Sequence, residues 1–327
     1  MDTWPGYTLF KKLQYTLQRA ESVRARPASL AGWGAAFLNS MMVRRPIVAG
    51  RFYPADIQGL TAQVQAFLAH PAEENGFAAD RPWAMMLPHA GYMFCGRIIG
   101  QTLAGQRLPH NILILCPNHT GRGAPLGVWP AGAWLTPLGP LSVDCELAAA
   151  LIKSNAGFEA DMLSHTGEHS IEVLLPFLQI AAEADLQITP VCVGTQNEAM
   201  LKRAGRAMGH ILAARQAAGK ESLVIISSDM NHYEDEATTL AKDDLALAKA
   251  LACDPQGLLT IVRQEKISMC GAGPLALALF AARAMGRAHT VLTGHETSAR
   301  VSGDRAHTVG YAGLRFYLEP SGTGENR

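Results

Sequence analysis

The sequence predicts an α/β fold: a single-domain sandwich with a largely parallel central sheet covered by helices. Two observations point there. Short apolar runs of strand length, such as those around residues 84–86, 112–116 and 224–226, alternate with longer stretches of helical character. From Arg45 onward no linker, repeat or low-complexity segment divides the chain. Short runs that are apolar throughout read as strands buried on both faces. Their alternation with helices argues a mainly parallel sheet.

In order, the pattern predicts a helix from Ile57 to Ala69, a strand at Ala84, a helix after Gly96 and a strand at Ile112. Trp129, Trp134 and their flanking Gly and Pro residues mark 127–138 as a hairpin-like excursion. Helices follow at 144–153 and at 170–182, the second capped by Ser170. Next come a strand at 187–193, a helix at 198–217 and a strand at 223–226. Helices at 236–251, 256–263 and 273–285 precede closing strands at 290–293 and 308–317.

Three segments are expected: a basic amphipathic extension over 1–43, an α/β domain over 44–318 and a mobile Gly- and Ser-rich tail over 319–327. In the extension, Leu9, Phe10, Leu13 and Leu17 recur at helical spacing among Lys11, Lys12, Arg19, Arg24 and Arg26. Such an arm overlaps in character with an organelle transit peptide, and equally with a helix packed on the body or on a partner subunit. Met41 and Met42 directly precede the expected domain start, so an overlong gene assignment is a further reading.

With 28 basic and 28 acidic residues, the chain offers no net charge for nucleic acid or an anionic membrane. No apolar run is long enough to span a bilayer. The charge balance leaves a small-molecule or peptide partner as the expectation, and the six cysteines, scattered with no Cys-x-x-Cys pair, point to a reducing, cytoplasmic setting.

The chemistry sits where strands end. His89 lies in Pro88-His89-Ala90-Gly91-Tyr92, His119 in Pro117-Asn118-His119, and Asp229 and His232 in Ser228-Asp229-Met230-Asn231-His232. In a parallel sheet the carboxyl ends of the strands share one crevice. Cys270 adds a thiol just before the helix begun by Gly273-Pro274, where the helix dipole favours thiolate. Two neutral imidazoles and one anion make a facial three-ligand site for Fe(II), Zn or Cu. Asp229 and His232 suit either ligation or the roles of orienting a ligand and moving protons. His165 and His169 superficially offer His-x-x-x-His, but Gly167 and the expected cap at Ser170 weaken it as a zinc motif. Glu168 and His169 could still face the crevice. The polar stretch 293–304 could form another wall of it, or a solvated turn.

Several motifs together resemble the Memo family, which includes protein B of the AmmeMemoRadiSam system. They are Arg45-Pro46, Ala49-Gly50-x-Phe52-Tyr53-Pro54, Pro88-His89-Ala90-Gly91-Tyr92-x-x-Cys95-Gly96 and Pro117-x-His119. Further along come Glu168-His169-Ser170-Ile171-Glu172, Ser227-Ser228-Asp229-x-x-His232, Cys270-Gly271 and Tyr311-Ala312-Gly313. The resemblance implies a fold similar to class III extradiol, LigB-type, dioxygenases, with a metal pocket formed by His89, His119 and Cys270 beside Asp229 and His232. It also implies a functional link to a radical-SAM enzyme and an Amme-domain protein.

The dioxygenases have a carboxylate where this chain has Cys270, which puts ordinary catechol cleavage in doubt because a thiolate is softer and oxidisable. The leading expectation is a non-haem Fe(II) redox enzyme, with His232 as acid or base and Tyr92 and Glu168 holding substrate. A second is a copper- or iron-holding module that binds a peptide or protein without turnover. A third is a cysteine hydrolase using Cys270 and His232.

Overall fold

A computed structural model describes residues 42–70, 81–286 and 288–319. The expected extension over 1–43 falls almost wholly, and the tail over 319–327 mostly, outside these residues.

The centre of the sheet is formed by β2 (Ala84–Leu87), β3 (Asn111–Pro117), β6 (Gly139–Val143), β8 (Gln187–Val193) and β9 (Ser222–Ser227). They run parallel in the order β6-β8-β3-β9-β2. Both margins include antiparallel pairs, so the sheet is mixed. On one side β12 (Thr308–Leu318) pairs with β2, and also with β10 (His232–Glu234) and β11 (Ala288–Thr297). On the other, β5 (Ala133–Thr136) forms a hairpin with β6, β1 (Val43–Arg44) adds parallel to β5, and β4 (Leu126–Val128) pairs with β8 and with β7 (Glu159–Ala160).

The expected excursion over 127–138 therefore divides. Leu126–Val128 joins the sheet beside β8, and the hairpin proper lies later, over Ala133–Val143.

Because strand side chains alternate between faces, each central strand feeds two cores. Ala84 and Met86, Leu113 and Leu115, and Val224 and Ile226 join one buried cluster. That cluster includes Leu201, Ala204 and Met208 of a long helix, Glu198–Ala217, and nearly all of another, Ala272–Met285. The Ala272–Met285 helix is apolar around its circumference, as a helix pressed between a sheet and other helices must be. Gly205 and Gly209 let its backbone approach closely, since a Cβ at Gly209 would lie 2.6 Å from the Ala281 carbonyl oxygen.

Helices Ile57–Leu68, Tyr92–Leu103 and Leu175–Ala181 pack against one another, with Phe177 meeting Phe67 and Tyr92. The Tyr92–Leu103 helix starts four residues before Gly96, capped by Gly91. The segment expected as a helix from Ser170 is a 3-10 turn, Glu172–Leu174, continued by Leu175–Ala181, with Pro176 in its first turn. Among the described residues, no helix is long and apolar enough to cross a membrane.

Candidate metal centre

The strand order decides what meets what. β9 lies between β3 and β2, so the loop carrying Asp229 is flanked by those carrying His119 and His89. Cys270 arrives from the turn before the Ala272–Met285 helix, held close because Gly271 lacks a side chain: a Cβ there would collide with Ser228. The backbone N–H of Gly271 donates to Ser228 Oγ at 3.1 Å.

One nitrogen each from His89 and His119 and the sulfur of Cys270 all lie within 4.8 Å of one another. His89 Nε2 is 3.4 Å from Cys270 Sγ. The hydrogen bonds behind the rings fix which nitrogens face inward. Ser227 Oγ spends its proton on the Ser170 carbonyl at 2.7 Å, so at His89 Nδ1, also 2.7 Å away, it can only accept. His89 therefore carries its proton on Nδ1 and offers the Nε2 lone pair. His119 donates Nδ1–H to Glu168 Oε1 at 2.9 Å, which likewise frees its Nε2. Imidazoles oriented by a hydroxyl and a carboxylate in this way are ready-made ligands. The Asp229 backbone N–H donates to Cys270 Sγ at 3.2 Å, support that favours a thiolate.

Glu168 is 1% exposed and serves as a hub. It accepts from the backbone of His119, His169 and Ser170 and from Ser170 Oγ. Burial pushes its carboxyl up, but these donors and the His119 ring overcome burial and hold it well below the usual carboxylate range. The same contact raises His119 against the effect of its own burial. Burial, then the neighbouring His119 and His169, pushes His89 well down, so it stays a neutral ligand. Burial also raises Asp229, although its Oδ1 accepts the His89 N–H at 2.8 Å.

At Cys270 the expected effect of the helix terminus is overridden: burial, then the charge of Asp229, pushes the thiol up. A cation beside it would reverse that balance, since a coordinating thiol is deprotonated outright.

His169 completes a cluster of three rings. It stacks on His119 at 5.1 Å between centroids and meets His89 edge-on at 5.7 Å. With His119 and Glu168 it forms a second set of close donor atoms, but there Glu168 Oε1 already accepts four hydrogen bonds and holds the His119 ring. His165, in a short helix Leu163–Thr166, stands apart from this cluster: its Nε2 donates to the Gly127 carbonyl at 3.0 Å.

A cavity of about 740 Å³ opens onto the cluster and is lined by His89, His119, His169, Asp229, His232 and Tyr92 among others. His232 donates Nδ1–H to the Ser268 carbonyl at 3.0 Å, leaving Nε2 free. Tyr92, expected to hold substrate, donates its hydroxyl to the Val173 carbonyl at 2.8 Å and packs in the wall. Glu168, expected in the same role, instead supports His119. Of the polar stretch 293–304, residues through Thr297 extend β11, where His295 donates to Asp243 at 2.9 Å.

Sequence reasoning gave no role to Ser227 or to the buried pair of Arg44 with Glu172, although Ser227 and Glu172 stand in the family motifs. Arg44 meets Glu172 at 2.5 Å, donates to the Glu168 carbonyl and lies over the Trp134 ring. Glu172 also accepts from Ile47 N, Val48 N and Tyr53 Oη, tying the 47–53 loop to the Glu168 segment. Arg44 and Glu172 lie 128 positions apart, and no local pattern links them.

Residues 44–315 match the family model described as Memo-like protein. The chain belongs to the Memo family. A MEMO1 family protein of Ignicoccus hospitalis is 37% identical over 287 residues, covering 85% of this chain and all of the relative. A MEMO1 family protein of Methanopyrus kandleri is 36% identical over 284 residues, covering 84% of this chain and 99% of the relative. A third, from Pyrobaculum arsenaticum, is 36% identical over 284 residues. The Memo match begins at Arg44, the residue that anchors Glu172 and the Glu168 carbonyl.

Proposed function

We propose that this Memo-family chain is a non-haem Fe(II)-dependent redox enzyme in which His89, His119 and Cys270 hold one metal ion and a small organic or peptide substrate occupies the adjoining cavity. The observation that supports this most is the pair of committed Nδ1–H groups, which turns two Nε2 lone pairs toward one thiol. The donor set of two imidazoles and one thiolate fits Fe(II), and also Zn or Cu. When bound, such an ion supplies Lewis acidity and, for iron or copper, one-electron chemistry at its open positions.

The protein's own residues would do the rest. Glu168 and Ser227 hold the two rings in register. The Asp229 N–H supports the sulfur. His232, oriented by Ser268, presents Nε2 to the cavity and can take a proton from the substrate or return one.

The test is oxygen uptake by the iron-loaded protein over a panel of organic and peptide substrates. Turnover should fall about a hundredfold or more in His232→Gln, whereas iron content should not change. No uptake with any substrate by fully loaded protein would remove the enzymatic reading.

A second reading is a copper-holding module that binds a peptide without turnover. The soft sulfur favours it, as do Met93 and Tyr233, which line the cavity yet are 63% and 78% exposed. The hydrolase reading has less support, because Cys270 lies against His89 and burial holds its thiol protonated.

A further inference from the structure

The cavity has two polar groups that the metal centre does not use. Tyr311, on β12 and only 2% exposed, lines it with a hydroxyl that makes no hydrogen bond to any described residue. The ring is buried, but its hydroxyl keeps access to the cavity, where a bound group can supply its partner. Tyr311 shares that wall with His89, His119 and Asp229.

Arg51 is the other. Among the described residues lining the cavity it is the only arginine or lysine, and Asp229 is the only acid. No described carboxylate pairs with Arg51; its guanidinium only reaches the Ile47 carbonyl at 3.4 Å.

Arg51 is exposed, but its loop is built. Glu172 holds Ile47 N, Val48 N and Tyr53 Oη at 2.8–2.9 Å on both sides of it. Gly50, with φ of 78°, makes the turn. The neighbouring Phe52 ring packs edge-on against His169 at 5.1 Å. An unpaired cation therefore stands on a fixed loop, one residue from the Phe52 ring that meets the histidine cluster.

We propose that the cavity takes a small organic anion, its charged group paired with Arg51 and another of its polar atoms hydrogen-bonded to the Tyr311 hydroxyl. This names a substrate class for the function proposed above and rests on the same cavity. Phe52 and Phe94 supply apolar walls suited to a flat or aromatic body. A guanidinium selects carboxylate or phosphate over a neutral isostere.

The test titrates benzoate, phenylacetate, para-hydroxybenzoate and phenyl phosphate, with the carboxamides of the three acids, by ligand-observed NMR. It is run on the metal-free and the metal-loaded protein. At least one acid should bind more tightly than its amide. Arg51→Gln should weaken that acid about tenfold and bring it level with the amide, and Tyr311→Phe should weaken the same acid about fivefold. Circular dichroism would check that both variants fold. If no anion outbinds its neutral counterpart, or if Arg51→Gln or Tyr311→Phe leaves binding unchanged, the proposal is overturned. Anion binding by the metal-free protein stands even where the chain fails to hold a metal, so the two readings fail separately.

Discussion

His89 Nε2 and Cys270 Sγ lie 3.4 Å apart across 181 residues of chain. The contact depends on β2 running beside β9 and on Gly271 fitting against Ser228, so that a strand end and a helix start meet over one loop. Behind the ring, Ser227 accepts the Nδ1 proton and thereby fixes which nitrogen faces the sulfur.

Ser227→Ala removes that constraint while leaving both metal ligands in place. Metal affinity should fall roughly 10- to 100-fold, the usual effect of losing a hydrogen bond that orients a ligand histidine. Competition with a chromophoric chelator measures it. Unchanged affinity would mean that His89 keeps its orientation by packing alone.

Glu172→Ala should destabilise the fold by about 3–5 kcal/mol, because Arg44 would remain buried and charged without its partner. Ile47 N, Val48 N and Tyr53 Oη would lose their acceptor as well. Urea denaturation of the variant, compared with wild type, gives the number. A loss below about 1 kcal/mol, typical of an exposed pair, would show that the 47–53 loop is held otherwise.

His165 gives a pH signature. Burial, chiefly, pushes it from 6.5 down to about 4. Between those values the unfolded chain binds a proton that the folded protein does not, so stability rises with pH across this window. It is lost as pH falls from about 6.5 toward 4, by on the order of 3 kcal/mol at the low end. His165→Gln, which keeps a donor for the Gly127 carbonyl, should flatten the stability curve between pH 6.5 and 4.5, a range above the usual carboxylate region. Equal slopes in the two proteins would assign the acid sensitivity to other groups.

Much of this arrangement is legible in the sequence, and the reasons differ by residue. The central strands show themselves because strands buried on both faces are apolar throughout, and the helix over 198–217 because its pattern and its Asn197 cap are local. His89, His119, Asp229 and Cys270 stand out as polar residues placed directly after apolar runs or before a helix. The short strands at the margins are not legible in this way: β1, β7 and β10 are two or three residues long, and pairing alone defines them. The roles of Ser227 and Glu172 depend on partners tens to more than a hundred residues away, as with Ser227 and Ser170, 57 residues apart, and Arg44 and Glu172, 128 residues apart. Tyr92 looks like a site residue in its motif, yet its hydroxyl is committed to the Val173 carbonyl.

The most direct test of the metal centre is elemental analysis of protein purified without oxygen, comparing wild type with the His89→Ala, Cys270→Ala double variant. The proposed function predicts close to one iron per chain in the wild type and none in the variant. Stoichiometric copper lost in the variant would keep the ligand set and move the function to the binding reading. No metal in either protein, or equal metal in both, would contradict a centre built on His89, His119 and Cys270.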